Sequence, residues 1–347
     1  MNIWKKNTPI VTTTTTAAPV IAVTLALMIL LLFSTTTNAI SFQSALTASN
    51  SSAANGAAPD RGMNNKVVFL NFYDSFKSPF LNAKPILDQY GFKATFFIIC
   101  IWMGQDAEHM TWQDIAALQN DGQDIESHSM THKHLDNVSA ADLDFEIGQS
   151  KKCLSDHGIN STIFGSPYGE AANNSTVINT IAKYYDFGRQ GFTNLMFLHC
   201  DGYTKESSQT DCRTYFDNGT LTFANRYSIR EWSHNSRDQK FLFNDNMTFN
   251  AFVKEVNDEP SKYNNNNING TTTLKAVPII GYRRIDDNRT KVSTDIDEFA
   301  KEMKYLHDNG FTVLPLSSLK YNKVGNYFYL NYNDKRRLNN GVGQSND

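Results

Sequence analysis

The stretch from Lys66 to Ile99, KVVFLNFYDSFKSPFLNAKPILDQYGFKATFFII, decides the fold class. Val67 to Tyr73 is an apolar run of the length and β-branched, aromatic content of a buried strand. Pro79 sits in the first turn of a helix that reaches Tyr90, a position where its missing N–H breaks no intrahelical bond. Ala94 to Ile99 is a second buried strand, so the stretch is a β-α-β unit. Working outward, Thr111 to Asn120 reads as a helix, Gln123 to Ser127 as a short strand and Ala140 to Leu154 as a helix. The alternation continues with strand Thr162 to Phe164, helix Ser175 to Tyr185, strand Tyr227 to Trp232 and helix Phe249 to Val256. Strand Ala276 to Tyr282, helix Asp295 to Asn309 and strand Thr312 to Leu314 complete it. Strands that alternate with helices imply parallel βαβ units, and this many favour a barrel over an open sheet. Chemistry in such folds gathers at the carboxyl ends of the strands. Two irregular stretches, Gly191 to Asn225 and Lys262 to Thr273 (KYNNNNINGTTT), are too long and polar for tight turns.

The chain has 347 residues, 40% of them hydrophobic and 19% charged, ample for one large α/β domain. A net charge of -3 and the absence of any Lys/Arg block offer no basic field for a phosphate backbone, so nucleic acid is not expected as a partner. Lys5 and Lys6 precede an apolar run, Ala17 to Phe33, broken only by Thr24 and followed by Thr37-Asn38-Ala39. At 17 residues the run is long for a signal peptide and barely long enough for a membrane anchor; either reading means export to the cell surface or beyond. Nine Asn-x-Ser/Thr sequons fit a glycosylated exterior, although an Asn-rich chain also collects them by chance. Of the four cysteines, Cys200 and Cys212 share a polar loop and are the better disulfide pair, while Cys100 follows a buried strand and is equally readable as a core thiol. The expected organisation is residues 1–39 as signal or anchor, 40–65 as a flexible low-complexity linker, 66–332 as the folded domain and 333–347 as a disordered tail.

Asp74 follows the first strand, and His128 and His132 follow the strand Gln123 to Ser127, so three potential metal ligands converge on one rim. Two neutral imidazoles and a carboxylate form the ligand set of an open catalytic site for zinc, with cobalt or nickel as alternatives. Such an ion acidifies water and polarises a carbonyl, which is the chemistry of amide or ester hydrolysis.

In order along the chain stand NFYDSF, ESHSMTHKHL, FGSPYGE, REWSH and VPIIGYRRIDD. This series resembles the motifs of the polysaccharide deacetylase (NodB homology) family, over about Lys66 to Leu330. The resemblance implies a single-domain distorted (β/α)7 barrel and metal-dependent removal of acetyl groups from N-acetylated sugar polymers, with an acetylated glycan as substrate. It implies metal binding by Asp74, His128 and His132. It also implies a groove wall at Pro167, Tyr168 and Gly169, where the Tyr168 N–H faces the oxyanion, and a further wall at Arg230 and Trp232, the latter lining the acetyl pocket.

Three positions depart from that pattern. The family's general base, an aspartate, is here Tyr73, and a phenol of pKa about 10 is mostly protonated at neutral pH. The histidine that protonates the leaving amine is here Arg283, which keeps its proton. The arginine that pairs with the base is here Gly165. The expectation is an impaired hydrolase or, alternatively, a binding protein of the same fold that no longer cleaves. Asp286, Asp287 and His234 are the side chains near enough in sequence to supply a substitute relay.

Overall fold

The first buried run forms β1 (Val67–Phe72), whose side chains alternate between two cores. Val68, Leu70 and Phe72 enter the layer between strands and helices, whereas Val67 and Phe69, followed by Tyr73, enter the cluster inside the ring of strands. The same alternation runs through β2 (Thr95–Ile98), with Phe96 and Ile98 outward and Phe97 inward. Complete burial of Phe72, stacked 4.8 Å from Phe96 and edge-on 5.9 Å from Phe299, joins strands to helix. Burying each such ring is worth about 1.5–3 kcal/mol.

The protein is seen here as a computed structural model that describes residues 66–172, 174–192, 196–197, 214–215, 221–222, 226–227, 229–234, 245–257, 267–268, 271–272, 276–322 and 327–330. The apolar run Ala17 to Phe33, the stretch 40–65, the tail 333–347 and Cys200 and Cys212 lie outside the described residues.

β3 (Asp124–Ser127), β4 (Ile163–Gly165), β5 (Phe187–Phe192), β6 (Ile229–Ser233) and β7 (Ile279–Tyr282) follow β2 around the ring. Every neighbour pair is parallel, and β7 returns to β1 with Phe69 opposite Ile279 and Phe72 opposite Tyr282. The result is a closed seven-stranded parallel barrel wrapped by helices, a (β/α)7 fold. Its helices are α1 (Lys84–Tyr90), α2 (Trp112–Asn120), α3 (Ala140–Leu143), α4 (Ser150–Asp156), α5 (Ser175–Tyr184), α6 (Asp245–Asn257) and α7 (Ile296–Asp308). Their starts are chemically marked where the caps form. Thr111 and Asp114 make a reciprocal capping box on α2, and Asn174 accepts from the amides of Thr176 and Val177 on α5.

The expected strand count holds, but its membership changes. Thr312–Leu314 pairs with the first half of β1 as an eighth strand, β8, outside the ring. The place in the ring belongs to β5, in a segment whose end the sequence reading gave to an irregular insertion. Its sequence FGRQGF has two glycines and the buried polar pair Arg189 and Gln190, so it carries neither a continuous apolar run nor an apolar alternation.

The cysteine expectation is also corrected. Cys100 is not a core thiol; it is bonded to Cys153 of α4 with the Cα atoms 6.5 Å apart, tying the end of β2 to the helix layer. The two residues are 53 apart in the chain, and only the tertiary fold brings them together. Among the described residues no helix is long and apolar enough to cross a membrane.

Candidate metal centre and groove

The barrel's parallel direction brings the seven strand ends to one rim. Ladder hydrogen bonds extend past the strands into the residues of interest. The Tyr73 amide donates to the Tyr282 carbonyl at 3.0 Å, His128 to Ile98 at 2.8 Å and Ser166 to Arg189 at 2.9 Å. Beyond these points the backbone turns sharply. Asp74 (φ 67°), His132 (φ 66°) and Tyr168 (φ 59°) all adopt the left-handed region that non-glycine residues avoid. Such conformations cost on the order of 1–3 kcal/mol each and persist where the surroundings over-determine them.

Those surroundings are visible. The Ser75 hydroxyl accepts from the Ile99 amide at 2.8 Å, and the Ser129 hydroxyl accepts from the His132 amide at 2.8 Å. Glu146, fully buried, accepts from the amide and hydroxyl of Thr131, which anchors the loop between the two histidines.

The three expected ligands meet. His128 Nε2 and His132 Nε2 each stand 3.3 Å from Asp74 Oδ1. Bonds of about 2.0–2.1 Å to a tetrahedral ion set its ligand atoms roughly 3.3–3.4 Å apart, so the spacing fits zinc without rearrangement of these two edges. His128 Nδ1 lies 2.7 Å from the Gly165 carbonyl, which can only accept; the proton is therefore on Nδ1 and the Nε2 lone pair faces the centre. Burial holds the His128 imidazole neutral, pushed down to about 4. Burial alone would raise the Asp74 carboxyl, but its bonds to His128 and His132, with the Arg283 charge, hold it well below the usual carboxylate range. Donor identity, tautomer and charge thus fit a divalent cation.

The ligands open into a cavity of about 480 Å³. Tyr168, 37% exposed, stacks on His134 with ring centroids 3.8 Å apart and lines it together with Gly169. Phe192 at the end of β5 forms the adjacent apolar surface, 44% exposed. A Cβ at Gly169 would stand 2.6 Å from the Phe192 ring, so this glycine, with φ +66°, admits the aromatic. Pro167 is buried beneath this turn.

Arg230 and Trp232 depart from expectation. On β6 the residues that face the barrel interior are Ile229, Glu231 and Ser233; Trp232 pairs in register with Ile280 and packs into the outer, helix-facing core. Strand parity therefore excludes the expected wall at these two positions, because successive side chains leave opposite faces of a strand. Ser233 lines the cavity in their place.

Tyr73 and Arg283, expected at the positions of the proton carriers, occupy defined environments. Tyr73 is buried, stacked 4.8 Å from Phe97, and its hydroxyl donates to Glu231 Oε2 at 2.6 Å while Asn71 Nδ2 donates to the phenol oxygen at 3.2 Å. Burial, more than the opposing Arg189 charge, raises its pKa far above the ordinary phenol value, so it stays protonated. Arg283 lines the cavity with Nε 3.3 Å from Asp74 Oδ2 and Nη1 donating to the Ser233 hydroxyl at 3.3 Å. It holds Asp74 Oδ2 while Oδ1 faces the two histidines.

Arg189 was missed by sequence reasoning. Its guanidinium, 3% exposed, pairs with Glu231 and lies 4.8 Å over the Tyr73 ring, reaching from β5 into the barrel interior. Burial would lower its pKa, but the Glu231 charge and hydrogen bond together with Tyr73 and Asp74 more than offset this and raise it. A charged residue in a six-residue segment between a helix and the next strand was the signal available, once a strand was required there. The suggested relays are engaged elsewhere. His234 is fully buried between Glu302 (2.6 Å) and Thr294 (3.0 Å), and Asp286 accepts from Ser293 at 2.7 Å. Asp287 accepts from the Ile296 amide at the start of α7.

Residues 60–187 match the family model for polysaccharide deacetylase. Over 93 residues the chain is 31% identical to YxkH of Bacillus subtilis, described as a putative polysaccharide deacetylase; the match covers 27% of this chain and 33% of that relative, so about a third of its length is spanned. Among solved structures, a family 4 carbohydrate esterase from Streptomyces lividans in complex with acetate aligns at 15% identity and a TM-score of 0.46, covering 77% of this chain and 98% of the other. The Xyl-CE4 domain of a multidomain xylanase from the hindgut metagenome of Trinervitermes trinervoides aligns at 18% identity and 0.44, covering 73% and 89%. The part of the chain that carries the triad, residues 60–187, is thus the part that is similar to the polysaccharide deacetylase family.

Proposed function

We propose that this protein is a metal-dependent hydrolase of the C–N bond in N-acetyl groups of cell-surface or extracellular glycans, slowed by its substituted proton carriers. The observation that carries the reading is the convergence of Asp74, His128 and His132, with both imidazole Nε2 atoms 3.3 Å from Asp74 Oδ1. Zinc suits this donor set, with cobalt or nickel as alternatives; when bound it supplies Lewis acidity to the amide carbonyl and to water. The left-handed turn at Tyr168, on the cavity wall, supports a role for its backbone N–H toward a developing oxyanion. Arg283 stabilises negative charge but cannot release a proton, and Tyr73 cannot accept one. General acid and base groups each contribute about 10² to 10⁴ in rate, which is the scale of the deficit. Elemental analysis of the purified protein should find one divalent metal per chain, and incubation with an N-acetylglucosamine oligomer should release acetate. Metal-loaded protein inert on a panel of acetylated glycans would refute turnover.

A second reading, a glycan-binding protein that no longer cleaves, is favoured by one observation: the Tyr73 hydroxyl is committed to Glu231 inside the barrel. Under it, glycan affinity is retained and the double variant Tyr73→Asp, Arg283→His gains acetate release, the new carboxylate standing beside the Arg189–Glu231 pair. Turnover unchanged by that repair would count against this account. Export through the N-terminal segment is part of the same proposal. It is supported by the apolar run, the sequons and the Cys100–Cys153 bond, since disulfides persist in oxidising compartments. A mass shift on glycosidase treatment of protein from its own cells checks it.

A further inference from the structure

After β7 the chain makes a short excursion and comes back. Arg284–Ile285 pairs in parallel with Ser293–Thr294, and the Arg284 amide donates to the Val292 carbonyl at 2.9 Å. This return brings Lys291 and Val292 beside Arg283 on the cavity wall. Arg283 is 27% exposed, and Lys291 is exposed.

The carboxylates that would cancel these charges are occupied. Glu231 is paired with Arg189, Glu108 and Asp286 with Arg284, and Asp295 with Arg289. Asp74 is the single carboxylate among the described residues lining the cavity, and it is the metal ligand. Once its charge is taken up by a divalent ion, the wall formed by Arg283 and Lys291 is a net positive surface over a cavity of about 480 Å³, larger than an acetyl group requires.

We infer that the glycan this site takes is acidic: a carboxylate on a sugar beside the acetylated one is bound by Arg283 and Lys291. The inference rests on the deacetylase reading and names its substrate class. With Nε on Asp74 and Nη1 on Ser233, the Arg283 Nη2 is left to donate a charge-assisted hydrogen bond to a ligand carboxylate. Lys291 adds a second charge without geometric demand. A neutral N-acetylglucosamine polymer has no anionic group to pair with either charge.

The test is titration calorimetry on the full chain, zinc-loaded and metal-free, with three probes: N-acetylglucosamine tetramer, a hyaluronan tetrasaccharide whose glucuronates alternate with N-acetylglucosamine, and sodium acetate. The zinc-loaded protein should bind the acidic tetrasaccharide at least about tenfold more tightly than the neutral one. The preference should weaken with salt, shrink in the metal-free form where Asp74 repels the anion, and be abolished by Lys291→Glu. Equal affinities, or a preference that survives Lys291→Glu, overturn the inference while leaving deacetylation of neutral glycans intact. Displacement of the tetrasaccharide by acetate at equal concentration also overturns it, by assigning the positive wall to the reaction product. Binding of neither sugar, with no acetate released, overturns both this inference and the reading beneath it.

Discussion

The rim of the barrel divides into two arcs that have been treated differently. The arc from β1 to β4 holds Asp74, His128 and His132 at ligand spacing, with Ser129 and Glu146 bracing the histidine loop. The arc from β5 to β7 together with Tyr73 replaces the expected proton carriers by a buried network of Arg189, Glu231, Asn71 and Tyr73, and by Arg283 turned toward Asp74. Ligand geometry is set by short local turns, so it survives changes on neighbouring strands. Proton transfer depends on isolated groups with tuned pKa values, and there one substitution calls for others: a phenol at 73 cannot pair an arginine, and the arginine of this site stands on another strand against another carboxylate.

If the second arc is a structural network, the largest effect should come from Glu231→Ala. It leaves the Arg189 guanidinium buried beside a lost partner, and breaking such a pair costs about 3–5 kcal/mol. Urea denaturation should register that loss, with Glu231→Gln milder; a change below about 1 kcal/mol would mean that the pair contributes little. The first arc is tested by His132→Ala, which should weaken zinc affinity by about 100-fold or more in calorimetry, since it removes one of three ligands. Zinc binding at wild-type strength would end the metal assignment. Next in size is Gly281→Ala on β7. A Cβ there collides with the Glu231 carboxylate, and overpacking of this kind costs roughly 1–3 kcal/mol, read as a lower melting temperature without loss of zinc.

The smallest effect is alkaline. Burial raises the folded pKa of Tyr73, Tyr185 and Tyr282 above the ordinary value, so the folded chain keeps protons that the unfolded chain releases. Their contribution is fully present below about pH 10 and is lost as pH rises past it. Thermal melts should therefore fall progressively above about pH 10. Tyr73→Phe should remove part of that slope, and an identical slope would show that the phenol is not enclosed by the second arc.

Much of this could be read without coordinates. Val67 to Asp74 announced a buried strand ending in a carboxylate at the rim, and His128-x-x-x-His132 behind Gln123 to Ser127 announced the imidazoles that meet it, because strand content and strand-end position are local properties of sequence. Helix boundaries such as Trp112–Asn120 lay within a residue of expectation for the same reason. Trp232 was misassigned because its face depends on the register of β6 against β7, which composition does not encode. β5 was missed because a strand that buries Arg189 and Gln190 looks polar until its partners are known.

What the chain determined by itself was the βα order and the placing of Asp74, His128 and His132, and of Tyr73 and Arg283, at strand ends, all of which are properties of residues and their near neighbours. Which seven strands close the ring, that Cys100 meets Cys153, and that Arg189 reaches Glu231 beneath Tyr73 were decided by the tertiary structure. These contacts join residues 42 to 53 positions apart or more, and only barrel closure and strand parity select them from the many pairs the sequence permits.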